Sequence, residues 1–231
     1  MLTSEIDAVV VDVLGTLVDE PAGLRAGIRN LAPAVDDHAV DELLQLWQRH
    51  IDSEQRRIVE GNRPFIASDS LDREAAQLVA DAAGISDPAA VAELALAGRR
   101  LPAWPDTELG LARLGERLPL IGLSNASRTA LLGLNAHAGL RWHQALSAET
   151  AQTYKPAPAV YELAVKVSGA PPERLLMVAA HAWDLRGAQD VGLRTAYVAR
   201  PVGDPPASSD QFDLYAEDLT DLADQLGVSP Q

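Results

Sequence analysis

The stretch Ala8-Val9-Val10-Val11-Asp12-Val13-Leu14-Gly15-Thr16-Leu17 decides how this chain is read. Its apolar run does not alternate with polar residues, which suits a strand of a parallel sheet covered on both faces. A carboxylate, a glycine for a turn and a hydroxyl follow. Ligands of open α/β sheets bind beyond the carboxyl ends of the strands, so Asp12 is placed to face a site. A solvated loop residue or a helix cap is the other reading of a lone Asp at that point.

Working outward, the pattern after Thr16 turns helical. Val40, Leu43, Leu44, Trp47 and Ile51 form the stripe of an amphipathic helix. A second stripe runs Leu71, Ala75, Leu78, Val79, Ala82 and stops at Gly84, a C-cap candidate. A third helix begins at Asp87-Pro88, an N-cap with proline at the first helical position, and carries Val91, Leu94 and Ala95. From Leu120 onward short apolar strands alternate with helices. The strands are Leu120–Leu123, Gln144–Ser147, Leu175–Ala179, Thr195–Val198 and an edge-like Phe212–Tyr215. Repeated β-then-α units predict an α/β fold, a Rossmann-like, doubly wound parallel sheet. Residues 1–16 and 99–231 are expected to form that core, with residues 17–98 inserted as an α-helical cap.

Bulk properties narrow the function. The 231 residues suffice for one core with an insert, and 47% hydrophobic with 23% charged residues is ordinary for a globular protein. No apolar run reaches the roughly 18–20 residues of a membrane span. The absence of cysteine excludes disulfides and thiol catalysis and makes the cytoplasm the expected compartment. A net charge of −14, with no basic cluster, argues against nucleic acid and anionic membranes as partners. Only two of the 19 basic residues are lysines, Lys155 and Lys166.

Three later segments supply partners for Asp12. Ser124-Asn125 ends the second core strand, where a Ser/Asn pair also serves as a helix N-cap. Lys155 lies in Tyr154-Lys155-Pro156, with Tyr161 on the helix that follows; a solvated charge and a core aromatic are the plainer readings. The fourth segment is Met177-Val178-Ala179-Ala180-His181-Ala182-Trp183-Asp184, then Leu185-Arg186-Gly187-Ala188. A carboxylate in such a setting can form an ester that water later cleaves.

In this order the four segments resemble the haloacid dehalogenase superfamily, and within it the type II 2-haloacid dehalogenases. The resemblance spans nearly the whole chain. Superfamily phosphatases usually carry a second Asp two residues after the nucleophile, as acid for the leaving alkoxide. Leu14 stands there, and a halide leaves without a proton. The phosphatases also pair Gly with a Mg²⁺-binding Asp after the fourth-motif strand, where this chain has Ala179-Ala180. No metal and no cofactor are therefore expected. Many dehalogenases have Ser-Ser-Asn where this chain has Ala179, Ala180 and His181, so two hydroxyls are lost and an imidazole is gained.

The resemblance implies Asp12 as nucleophile, Lys155 and Thr16 holding it, and Asp184 activating or orienting water. It implies Ser124 on the substrate carboxylate and Asn125 beside the halide. Leu14, Tyr161, His181 and Trp183 are expected around the substrate. The family's halide-contacting Arg commonly follows a Leu-Trp pair directly; here Leu46-Trp47 is followed by Gln48 and then Arg49. Arg49 is the candidate, with Arg25, Arg29 and Arg56 as rivals. The implied reaction is hydrolysis of a small anionic 2-haloacid to a 2-hydroxy acid, by a monomer or homodimer. A small-molecule phosphatase and a catalytically silent binding protein are the competing readings.

Overall fold

A computed structural model describes residues 5–228. Six strands form one all-parallel sheet in the order β3-β2-β1-β4-β5-β6. They are β1 (Ala8–Asp12), β2 (Leu120–Ser124), β3 (Gln144–Ser147), β4 (Leu175–Ala179), β5 (Arg194–Val198) and β6 (Leu214–Ala216). β1 is central. The chain builds β2 and β3 on one side of it, then crosses over to lay β4 against its other edge. That reversal puts the switch point at the carboxyl ends of β1 and β4, where an α/β sheet opens a crevice.

The unbroken apolar run of β1 has its cause in the two layers that cover the sheet. Val9 and Val11 enter one core together with Leu176 and Val178 of β4. Ala8 and Val10 enter the opposite core with Met177 and Ala179. Helices α5 (Thr107–Gly115), α6 (Arg128–His137) and α9 (Leu219–Gln225) border the first layer, and α7 (Pro158–Ser168) with α8 (Ala182–Asp190) the second.

Between β1 and β2 lies a helical insertion of α1 (Glu20–Leu31), α2 (Asp37–Val59), α3 (Ser68–Ala83) and α4 (Pro88–Leu94). It has its own core, in which Leu24 and Ile28 of α1 meet Val40, Leu44 and Trp47 of α2 and Val79 of α3. The sequence reading had no helix at α1 or at α9. Both carry legible signals: Asp19 caps α1 by accepting from the Ala22 N–H, with Pro21 in the first turn, and Asp218 accepts from Asp221 N–H at α9. The α3 stripe is also corrected. Leu78 and Ala82 are exposed, and the buried face is Leu71, Ala75, Ala76, Val79 and Ala80. The helix is turned so that its alanines let α2 approach. Gly84 ends it at φ +70°, as the C-cap reading predicts. The edge strand begins two residues later than expected, and no helix among the described residues is long and apolar enough to cross a membrane.

Candidate active site

The carboxyl ends of β1, β2 and β4 converge under α1 and α2, around a cavity of about 380 Å³. Asp12 lies on its floor. Its Oδ1 accepts from Lys155 Nζ at 2.9 Å and its Oδ2 from Thr16 Oγ1 at 2.7 Å. Thr16 in turn accepts from the Ala180 N–H at 2.9 Å, which ties the turn after β1 to the end of β4. Both carboxylate oxygens are thereby oriented.

Lys155 Nζ also donates to Asp184 Oδ2 at 2.8 Å, so one ammonium bridges two carboxylates. Burial works to lower the Lys155 pKa, but Asp12 and Asp184 outweigh it and hold the ammonium above its usual range. Asp184 is fully buried, and that burial raises its carboxyl against the pull of Lys155. Tyr161 Oη donates to Asp184 Oδ1 at 2.7 Å. Asn125 fixes the other end of Lys155: its Oδ1 accepts from the Lys155 N–H at 2.9 Å, and its Nδ2 donates to Gln55 Oε1 of α2 at 2.9 Å.

A second set of contacts holds the turn itself. Trp104 Nε1 donates to the Gly15 carbonyl at 3.0 Å, and Arg200 Nε donates to the Thr16 carbonyl at 2.9 Å. The Arg200 guanidinium grips Asp106 with two hydrogen bonds of 2.7 and 2.8 Å and lies 5.7 Å from the Trp104 ring centroid. Gly15 has φ +77°, and a Cβ there would come 2.5 Å from His181 Nε2, so backbone and space both demand glycine. His181 Nε2 lies 3.2 Å from the Leu14 carbonyl. A carbonyl only accepts, so Nε2 carries a proton and Nδ1 is left for other partners. The ring stacks on Trp183 at 5.9 Å between centroids.

Of the residues named from the sequence, Asp12, Leu14, Asn125, Lys155, His181 and Trp183 line the cavity. Three placements differ from what the sequence suggests: the arginines, Ser124 and Tyr161. Arg49 is exposed on the outer side of α2, where it donates to Gln45 Oε1; Gln48 lines the cavity instead. Arg25 pairs with Asp41, Arg29 with Asp37, and Arg56 is exposed, so none of the rivals lines the cavity either. Ser124 is fully buried, does not line the cavity, and accepts from the Ala126 N–H at 3.1 Å within the turn before α6, whose N-cap is Ser127. Tyr161 is equally buried, and its hydroxyl serves Asp184 rather than the cavity. Asp184 sits behind Lys155 rather than at the cavity wall.

Glu20, Asp52 and Gln55 line the cavity and escaped the sequence reading. Gln48, Asp52 and Gln55 repeat at helical spacing on α2, the signal that could have found them. Glu20, in the first turn of α1, reads as an ordinary complement to the helix dipole.

The donor set for a Mg²⁺ ion of the phosphatase kind does not fit. Ala180 stands where the phosphatases carry a Mg²⁺-binding Asp and has no side-chain oxygen, and among the described residues no three His, Asp or Glu side chains are grouped to hold a metal.

Comparison with known proteins agrees with this geometry. The family pattern of the haloacid dehalogenase-like hydrolases matches residues 6–192. The (S)-2-haloacid dehalogenase of Xanthobacter autotrophicus is 30% identical over 202 residues, 84% of this chain and 76% of that protein. The crystal structure of the L-2-haloacid dehalogenase PA0810 superposes with a TM-score of 0.88 at 33% identity, over 97% of this chain and 100% of the other. A Xanthobacter autotrophicus L-2-haloacid dehalogenase with chloropropionic acid covalently bound superposes at 0.80 with 25% identity, over 97% and 100% of the two chains. The chain belongs to the haloacid dehalogenase-like hydrolases, on the branch of the 2-haloacid dehalogenases.

Proposed function

We propose that this protein hydrolyses the carbon–halogen bond of small 2-haloalkanoic acids through an ester on Asp12. The observation that carries the reading is the chain Thr16–Asp12–Lys155–Asp184–Tyr161, which holds a nucleophilic carboxylate at the cavity floor and a second carboxylate behind it. The Asp12 carboxylate attacks the halogen-bearing carbon in line, the new C–O bond inverts that carbon, and the bonding pair leaves with the halide. Leu14, where a phosphatase keeps an acid, costs nothing here because halide needs no proton. Water then adds to the Asp12 carbonyl carbon as one of its protons passes to Asp184. The bond from that carbon to the substrate oxygen breaks, the departing alkoxide takes the proton from Asp184 to leave as the 2-hydroxy acid, and Asp12 returns to its carboxylate with release of the second proton. Esterification removes the charge on Asp12, so Lys155 keeps Asp184 as its one anionic partner and is freed to shift off the path to it. An elevated carboxyl pKa suits Asp184 to accept that proton near neutral pH.

The covalently bound chloropropionic acid in the Xanthobacter enzyme supports an ester of this kind. Residues 17–98 act in the same proposal as a cap: α1 and α2 roof the cavity, and the Asn125–Gln55 hydrogen bond latches the roof to the end of β2. The test is halide release from 2-chloropropionate with and without EDTA, together with mass spectrometry of the Asp12 peptide after a single turnover. Metal-insensitive halide release and a substrate-sized mass gain on Asp12 are expected. Turnover abolished by EDTA and restored by Mg²⁺ would overturn the reading.

A further inference from the structure

Glu20, at the start of α1, lines the cavity roof, and its carboxyl has no hydrogen-bond or ion-pair partner among the described residues. In-line attack fixes what it meets. Asp12 approaches the halogen-bearing carbon from the floor, so the halogen departs on the opposite side, toward α1 and α2. The polar groups of those helices are Glu20, Asp52, the Trp47 indole and the carboxamides of Gln48 and Gln55. The other donors of the cavity stand lower. Lys155 and Asn125 lie at the floor with the backbone amides of Leu14 and Gly15, and His181 Nε2 is committed to the Leu14 carbonyl. Trp183, with its own indole N–H, stacks on His181. No arginine lines the cavity; Arg56, with His181, only partly offsets the burial that raises the Asp52 carboxyl. A departing anion needs donors on the roof side, and a protonated Glu20 supplies an O–H there.

We propose that Glu20 is a catalytic residue whose protonated carboxyl donates a hydrogen bond to the halide as it leaves a 2-haloalkanoate. The inference rests on the Asp12 ester chemistry and adds a group on the far side of the reacting carbon. Asp12 Oδ forms the C–O bond, the carbon–halogen pair departs on the halogen, and the new anion accepts from the Glu20 O–H. The proton stays on Glu20, so the step balances without an acid. Gln48 and the Trp47 indole add neutral N–H donors on the same side. An ionised Glu20 has no proton to share and repels the anion.

Glu20 faces Asp12 from β1, Asp52 from α2, Asp72 from α3 and His181 from the loop before α8, with Lys155 beyond Asp12. Arg56 acts on Asp52, and Arg73 and Arg99 act on Asp72, so both acids are partly screened. Burial first, opposed by His181 and reinforced by Asp12 and Asp52, pushes the Glu20 carboxyl up to about 7. Below that pH the O–H donor is present; above it the group ionises and the donor is lost.

The experiment measures kcat/KM for halide release from 2-chloro-, 2-bromo- and 2-iodopropionate at pH 6 and 8.5, for wild type, Glu20→Gln and Glu20→Ala. This parameter covers the steps up to carbon–halogen cleavage and excludes the later ester hydrolysis. The three substrates share one carboxylate, so charge changes that act on that head cancel in their ratios. Chloride is the strongest hydrogen-bond acceptor and poorest leaving group of the three, so it gains most from the donor. In wild type the iodide-to-chloride ratio should widen about threefold or more between pH 6 and 8.5, as a hydrogen bond to a charged group is lost. Glu20→Gln keeps a donor that does not titrate, and its ratio should stay constant with pH. Glu20→Ala should show the wide ratio at both pH values. The wild-type series needs no variant and decides the matter even if Glu20→Ala folds poorly. Halide release with a wild-type ratio equal at both pH values would overturn the role of Glu20 and leave the Asp12 reaction standing. A folded Glu20→Ala with the wild-type ratio at pH 6 would do the same. Absence of halide from all three substrates, with no ester on Asp12, would remove both.

Discussion

Asp12 and Asp184 are both carboxylates within reach of one ammonium, yet their surroundings set them different tasks. Asp12 meets the cavity, while Asp184 is sealed behind Lys155 and Tyr161. An amide at residue 12 cannot attack, so Asp12→Asn should lower kcat on the order of 10³-fold or more. Asp184→Asn should instead let the ester accumulate. Turnover in ¹⁸O-water followed by peptide mass spectrometry checks both steps: heavy oxygen belongs in Asp12 as well as in product, and label in product alone would exclude the ester. Tyr161 is a positioning residue for Asp184. Tyr161→Phe removes one hydrogen bond to a charged group, a loss of about 1.5 kcal/mol, so kcat should fall roughly tenfold. KM should stay within about twofold, because the hydroxyl does not face the cavity; a change confined to KM would mean that Tyr161 meets the substrate.

At the scale of elements, the decisive piece is the turn between β1 and α1. Besides its internal hydrogen bond from the Leu17 N–H to the Val13 carbonyl, it is held from outside by Trp104, Arg200 and Thr107, each donating to a carbonyl between Gly15 and Leu17. Trp104→Phe keeps most of the ring and deletes the donor to Gly15, which costs about 1 kcal/mol of stability. If the clamp aims Thr16 at Asp12, kcat should drop several-fold at unchanged KM. Thermal denaturation beside steady-state kinetics separates that aiming from a purely structural loss, in which kcat per folded molecule would be intact. Arg200→Ala is the poorer probe, since it strands Asp106, whose carboxyl is held below the usual range by Arg200 and the Leu219 N–H despite its burial.

Across the whole molecule, acidic groups accumulate under the helical insertion. Asp72 is pushed up to about 8, by burial first and then by Glu20 and Asp69. An acid whose pKa is higher in the folded state than in the unfolded chain makes folding less favourable as pH rises from its unfolded value, near 4, to its folded one. Asp72→Asn should leave Tm nearly unchanged at pH 4.5 and raise it by about 4 °C or more at pH 9. Calorimetry at the two pH values checks the sign, and a gain that is equal at both would mean that Asp72 acts through packing rather than charge. The same crowding lies beside the substrate cavity, and the net charge of −14 adds a long-range field opposing anions.

The sequence by itself determined the sheet and the floor of the site. β1 is apolar up to Asp12 and β4 throughout because each is covered on both faces, and polar residues first appear at the strand ends, so Asp12, the Ser124-Asn125 pair and His181 stood out from local pattern alone. Lys155 was legible from its motif. Only the tertiary structure decided which way side chains turn from there. One position along a helix rotates a side chain by about 100°, and the packing of Val40, Leu44 and Trp47 into the insertion sets α2 so that Gln48 faces in and Arg49 out. At the end of β2 Ser124 turns to the Ala126 N–H, and on α7 Tyr161 turns to Asp184. Tertiary packing brings Glu20 and Asp52, 32 positions apart in sequence, to one wall of one cavity. Periodicity says which residues share a helix face; what that face meets depends on contacts far along the chain.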